Sequence, residues 1–240
     1  MSIGREFIEK TKYPHLGPSP QEKGVPQPAV CDTASVFSRV IALPPPAVTA
    51  CDLASAISAR RSLRRYGAQP LSLGELSFLL WCTQGVRQVT PGATFRTVPS
   101  AGSRHCFETI VFAHRVEGLD EGFFQFLAAD RALGALPARP DAAESLCAAC
   151  LGQGFVQSAA AVFIWVAVVE RMTWRYGERG YRYLFLDAGH ICQNLYLAAE
   201  AVGCGACAIG AFSDDDMNLL LGLDGTRRCA VYAAAVGKKP

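Results

Sequence analysis

Residues 60–66 read Arg60, Arg61, Ser62, Leu63, Arg64, Arg65, Tyr66, which puts four guanidinium groups and a hydroxyl into seven positions. Guanidinium forks match a phosphate bidentately, and each charge-assisted hydrogen bond contributes roughly 1.5–3 kcal/mol, so three of them hold one phosphate monoester firmly. A solvated basic turn is the other reading of such a run taken alone. Three further segments suit a ligand. In Pro99-Ser100-Ala101-Gly102 a hydroxyl and a glycine allow close backbone approach to a bound molecule, or simply make a turn. Across 205–212, small side chains around Ile209, Gly210 and Ala211 leave backbone N–H groups to address a flat ring, or permit tight helix–strand packing. Gly237-Lys238-Lys239 adds compact positive charge after an apolar run, or is simply a solvated tail.

The ten cysteines are the other chemistry-bearing group. Most sit in apolar segments, as Cys82 does after Trp81 and Cys192 after Ile191, which is how buried free thiols look. Cys147 with Cys150, and Cys204 with Cys207, have the spacing of a four-thiolate zinc site. They lack the glycines and compactness of zinc ribbons, and neither pair has the strand-to-helix context of a redox dithiol, so no metal is expected.

Composition bounds the function class. A net charge of +2 provides no chain-wide basic footprint for nucleic acid, so a single small anion fits better. With 240 residues, 50% hydrophobic and 18% charged, the chain can bury a sizeable core as one large domain or two small ones. The longest apolar run, 159–169, falls short of the roughly 18–20 residues that span a bilayer, and residues 1–10 are charged without a signal-type apolar segment. A cytoplasmic protein with no membrane partner is expected.

These segments need elements to position them. Residues 1–47 are proline-rich and aperiodic, predicting an N-terminal arm that wraps the core or stays loose, with the core over 48–240. A short helix over 51–58 delivers the arginine cluster at its end. Ser72-Leu73-Gly74-Glu75 has the form of a capping box, opening a helix with an apolar face of Leu76, Leu79 and Leu80 that ends at Gly85. Residues 87–102 read as a polar, turn-rich loop. The nearly continuous apolar runs 108–116, 160–169 and 230–236 read as central strands covered on both faces. Ala188, Ile191, Leu195, Ala198 and Val202 recur at helical steps, with Gly203 as the stop. Residues 205–212 form a small-residue strand and loop, and Ser213-Asp214-Asp215-Asp216 reads as another capping box, ahead of a last helix over 217–221. Interspersed strands and helices favour an α+β sheet sandwiched by helices.

Taken together, Arg60-Arg61-Ser62-Leu63-Arg64-Arg65-Tyr66, Leu80-Trp81-Cys82-Thr83-Gln84-Gly85-Val86, Pro99-Ser100-Ala101-Gly102, Tyr181-Arg182-Tyr183, Asp187-Ala188-Gly189-His190 and Gly205-Ala206-Cys207-Ala208-Ile209-Gly210-Ala211-Phe212 resemble the SagB-type dehydrogenase branch of the FMN-dependent nitroreductase superfamily. The resemblance covers about residues 50–239, and Glu9-Lys10-Thr11-Lys12-Tyr13-Pro14 resembles the segment before the core in that branch. It implies a nitroreductase-like α+β fold, with a central, mostly antiparallel sheet flanked by helices, in a domain-sharing homodimer. It implies FMN, with Arg60, Arg61, Ser62 and Arg64 on the phosphate and ribityl chain, and Pro99, Ser100, Ala101 and Gly102 lining the flavin from the partner subunit. Ile209, Gly210 and Ala211 would present backbone amides to the ring edge, and Lys238 would reach the phosphate, with Lys239 its neighbour. The flavin supplies the hydride chemistry and the protein binds, orients and tunes it.

The chain also departs from that branch. Where members that oxidise azolines carry a Lys-Tyr pair for proton handling, this chain reads Trp174, Arg175, Tyr176. Tyr176 remains available to move or position a proton. Arg175 stays charged and cannot be a base, although it can bind an anionic substrate or stabilise negative charge. Beyond Gly102 the chain continues Ser103, Arg104, His105, and His105 reads as a structural residue or a proton donor over the flavin. His190 reads as helix packing. The resemblance implies dehydrogenation of an azoline or related C–N bond in a peptide or natural-product intermediate, with other biosynthetic enzymes as partners. An NAD(P)H-dependent nitro or quinone reductase and a non-catalytic scaffold subunit are the alternatives.

Overall fold

A strand covered on both faces needs apolar side chains at successive positions, and β7 (Ala161–Val168), with the sequence AVFIWVAV, is buried at all eight. In this computed structural model, which describes residues 1–31, 37–47 and 50–240, β7 lies near the middle of a large sheet. The other strands are β1 (Val40–Ala42), β2 (Val86–Thr90), β3 (Ala93–Arg96), β4 (Phe107–Ala113), β5 (Gly122–Leu127), β6 (Ala132–Ala135), β8 (Cys204–Ile209) and β9 (Arg228–Lys238). Seven of them order as β1-β6-β5-β4-β7-β9-β8, with every pairing antiparallel. The helices are α1 (Ile3–Lys10), α2 (Leu53–Ala59), α3 (Leu73–Gln84), α4 (Ala142–Ala149), α5 (Phe155–Ser158), α6 (Val169–Tyr176), α7 (Gly180–Ala201) and α8 (Asp214–Leu221). The expected α+β fold with its antiparallel sheet between helices is what forms.

The two-residue period of β7 divides the core. Phe163 and Trp165 face α3 and α7 through Leu76, Leu79, Leu80, Ile191 and Leu195. Val162, Ile164 and Val166 face α4 and α8 through Leu146, Met217 and Leu220. Each such large side chain stabilises the fold by roughly 1.5–3 kcal/mol on burial. The Ser72–Glu75 capping box forms reciprocally at the start of α3. Gly203, at φ +66°, follows the end of α7 in the left-handed conformation that suits glycine.

Three expectations change. Residues 87–102 are not merely a loop, because β2 and β3 make a hairpin whose Pro91-Gly92 turn puts Gly92 at φ +80°. The strands β1, β5 and β6 were not foreseen. Ser213 caps α8 by accepting the Asp216 N–H, one half of a capping box. The expected core start at residue 48 lies outside the described residues; β1, inside the 1–47 segment, already pairs with β6.

The N-terminal arm wraps α6 and the start of α7. The Trp174 indole donates to the Val25 carbonyl (2.7 Å), the Gln21 N–H to the Trp174 carbonyl (2.8 Å), and Arg182 Nε to Thr11 Oγ1 (2.7 Å). The buried Glu108 of β4 pairs with Arg171 of α6 at 3.0 Å and with Arg228 of β9 at 2.5 Å, which ties α6 to the sheet.

Candidate functional site

The arginine segment follows α2 and runs along β8, the edge strand. Leu63 N–H donates to the Ala206 carbonyl (2.9 Å), Ser62 bridges to Ala206 in parallel, and Gly67 N–H donates to the Lys238 carbonyl (2.9 Å). Two glycines permit this approach. A Cβ on Gly205 would stand 2.5 Å from Leu63 Cδ2, and one on Gly237 would stand 2.8 Å from the Tyr66 ring. Tyr196 of α7 completes the seat: its hydroxyl lies 2.9 Å from Ser62 Oγ and accepts the Ala208 N–H at 2.8 Å, and Arg60 lies 5.2 Å over its ring.

So seated, Arg61, Arg64 and Arg65 point outward, exposed, with Arg60 half-buried. Among the described residues none of the four has a carboxylate within ion-pairing distance. Four adjacent cations without a carboxylate partner can take up a multiply charged anion. Lys238 is close in the fold, but its ammonium is held by Glu75 in an ion pair. At the other end of β8, Ile209 is buried while Gly210 and Ala211 are exposed. The N–H groups of Gly210 and Ala211 have no acceptor among the described residues, so that edge offers donors to a ligand.

The Pro99–Gly102 loop is built against the other end of α7. Ser100 Oγ donates to Asp187 Oδ2 (2.6 Å), and the Ala101 N–H donates to Oδ1 (3.2 Å). Burial pushes the Asp187 carboxyl up, and these two donors oppose that shift. Gly102 sits at φ +56°, and a Cβ there would stand 2.5 Å from the Tyr176 hydroxyl and 3.1 Å from Arg175 Cδ. The loop, Tyr176 and Arg175 therefore form one cluster. Tyr176 also packs edge-on against Tyr183 at 4.8 Å between ring centroids.

Asp187 and Tyr196 are nine residues apart on one helix, so the loop and the arginine segment hang on α7 about 13 Å apart. The structure thus makes two clusters in one chain. Arg60, Ser62 and the residues of β8 form the first; Ser100, Ala101, Gly102, Arg175 and Tyr176 form the second.

His105 is buried at φ +41°, its N–H donating to Ser100 Oγ (2.9 Å). Burial, with Arg96 and Arg104 adding to it, pushes its imidazole down to about 3, so it stays neutral near pH 7 and cannot serve as an imidazolium donor. His190 is exposed rather than packed. Tyr196 was not singled out from the sequence, and Asp187 and Tyr183, quoted only within the resemblance, and Glu75, read only as half of a capping box, were given no role in the site. For Asp187 a signal exists: a lone acid in register with the apolar Leu184, Ala188 and Ile191 of α7.

Residues 57–238 match the model of the Nitroreductase family. A Methanocaldococcus jannaschii protein named "Putative nitroreductase MJ1384" is 37% identical over 162 residues, which are 68% of this chain and 80% of that protein. A crystal structure described as a "putative nitroreductase" from Anabaena variabilis is 29% identical with a TM-score of 0.65; the match covers 79% of this chain and 38% of that longer one. The E. coli microcin synthetase McbBCD complex with truncated pro-MccB17 shares the fold at 20% identity and a TM-score of 0.63, over 98% of this chain and 86% of that one.

Proposed function

The chain belongs to the nitroreductase family, and on that premise we propose that it is an FMN-dependent oxidoreductase, homodimeric, that dehydrogenates an azoline or related C–N bond in a peptide or natural-product intermediate. The residues fit the cofactor. Arg60, Arg61, Ser62 and Arg64 would hold the phosphate and ribityl chain, and the phosphate would give these arginines the counter-charge that no carboxylate among the described residues gives them. Lys238 would join them by exchanging its Glu75 partner. Gly210 and Ala211, beside the buried Ile209, would donate their N–H groups to the ring edge, and Pro99, Ser100, Ala101 and Gly102 would line the ring from the other subunit. FMN, when bound, accepts hydride.

The chain's own part is the proton. As hydride leaves carbon, a proton must leave the neighbouring atom, and Tyr176 is the group proposed to relay it to solvent, passing on its own hydroxyl proton as it accepts, or to position it. The observation that carries this reading is the seat of Tyr176: its hydroxyl lies 2.5 Å from the place a Gly102 Cβ would fill, so the tyrosine is in contact with the loop that would face the flavin. Arg175 beside it adds fixed positive charge.

The test uses FMN-reconstituted protein with a model thiazoline. Tyr176→Phe is expected to lower oxidation by roughly 10²–10⁴-fold while flavin content is unchanged. Turnover of nitro compounds or quinones with NAD(P)H and none of azolines would make the chain a reductase instead. Failure to take up FMN would leave the scaffold reading.

A further inference from the structure

Between the N-terminal arm and the C-terminal end of α6 lies a cavity of about 410 Å³. The arm lines it with the apolar Leu16 and Pro18 beside the polar Ser19, Gln21 and Glu22, and the end of α6 and the turn after it line it with Arg175, Tyr176 and Arg179. The arm is fixed there. Arg179 lies 4.4 Å over the Tyr13 ring and donates to the Thr11 carbonyl at 2.9 Å and to the Tyr183 hydroxyl at 3.1 Å.

The charges in this cavity do not balance. Neither arginine has a carboxylate within ion-pairing distance among the described residues. The one acid in the lining, Glu22, is turned to its own segment: Oε2 accepts the Ser19 N–H at 2.7 Å. Arg175 is exposed and packed by its stem against Gly102, and among the described residues its donors meet no acceptor. A guanidinium in this condition, beside apolar side chains, recognises a carboxylate on an apolar body, because the planar fork takes both oxygens while the body covers Leu16 and Pro18.

We propose that this cavity is a carboxylate-selective substrate subsite, with Arg175 as the anion ligand and the arm as its wall. The proposal rests on the reading of Tyr176 given above, since the bound carboxylate would place the rest of the substrate beside that hydroxyl. A free carboxylate near the bond to be oxidised is then part of what the protein selects, and an arginine that cannot lose its proton serves that purpose better than a lysine.

The experiment is calorimetric titration of the 240-residue protein with N-benzoylglycine and with its primary amide, two probes of the same shape with no bond for a flavin to oxidise. The acid is expected to bind at least tenfold more tightly. Arg175→Gln, and separately Leu16→Glu, should erase that preference while far-ultraviolet circular dichroism stays unchanged, and Arg175→Lys should keep most of it. Binding of neither probe, equal binding of both, or a preference that survives Arg175→Gln overturns the proposal. Azoline oxidation is scored separately. Acid preference without oxidation would sink the reaction and leave the subsite, and oxidation without acid preference would do the reverse.

Discussion

A single missing methyl group joins the two halves of the proposed chemistry. At Gly102 an alanine would meet the Tyr176 hydroxyl at 2.5 Å and adopt φ +56°, a left-handed conformation that costs a non-glycine residue about 1–2 kcal/mol. Gly102→Ala is therefore expected to displace Tyr176 and lower turnover at least tenfold with little change in fold, measured as kcat alongside near-ultraviolet circular dichroism. His105 makes a second residue-scale prediction. Its folded-state value of about 3 lies below the ordinary 6.5, so the unfolded chain binds the extra proton between those values. The contribution of His105 to stability is complete above pH 6.5 and is lost as pH falls toward 3. The His105 ring resonances should show no titration from pH 8 to 5, and a midpoint near 6.5 would return it to the candidates for proton transfer.

The element that matters most for the proposed FMN site is β8, because the arginine segment has no helix or strand of its own and borrows this edge. Its register depends on Gly205, where a Cβ would stand 2.5 Å from Leu63 Cδ2 and 2.9 Å from Leu63 Cβ. Gly205→Ala should push residues 60–66 off the strand, and the expected result is loss of FMN on gel filtration before any large fall in melting temperature. Arg61→Ala and Arg64→Ala should release flavin directly by removing charge-assisted contacts. Flavin content unchanged in all three variants would overturn the phosphate assignment.

Beyond a single chain, the two clusters suspended from α7 are about 13 Å apart, and a flavin held by the first of one subunit would be lined by the second of its partner. The α2 residues Leu53 and Ile57 are 62% and 55% exposed, and Leu53 borders an apolar cavity of about 500 Å³ that Phe78, Trp81 and Leu197 also line. The protein is expected to sediment as a dimer of about 51 kDa, twice the 25.7 kDa chain. Leu53→Asp with Ile57→Asp should yield a monomer that loses FMN. A monomer that keeps its flavin would show that one chain builds the site alone.

What the sequence determined by itself was whatever acts over a few residues. The Ser72–Glu75 cap, the helical repeat of α7 with Gly203 after it, and the nearly continuous apolar runs of β4, β7 and β9 are local signals, and each became the element it announced. The basic run at 60–66 was equally plain, because charge density needs no partner to be recognised. The β2–β3 hairpin hid behind exposed Arg87 and Gln88, with only Pro91-Gly92 to mark it, and β1 and β6 are too short to show a period. Tertiary structure alone decided the pairings: Ser62 with Tyr196 across 134 residues, Lys238 with Glu75 across 163, and Gly102 with Tyr176. It also decided that the proline-rich arm wraps α6, and that His105 is buried among cations and stays neutral. The reason is physical: periodicity and capping are settled by neighbours along the chain, whereas contacts and electrostatic environment exist only after the sheet has closed and the helices have packed on it.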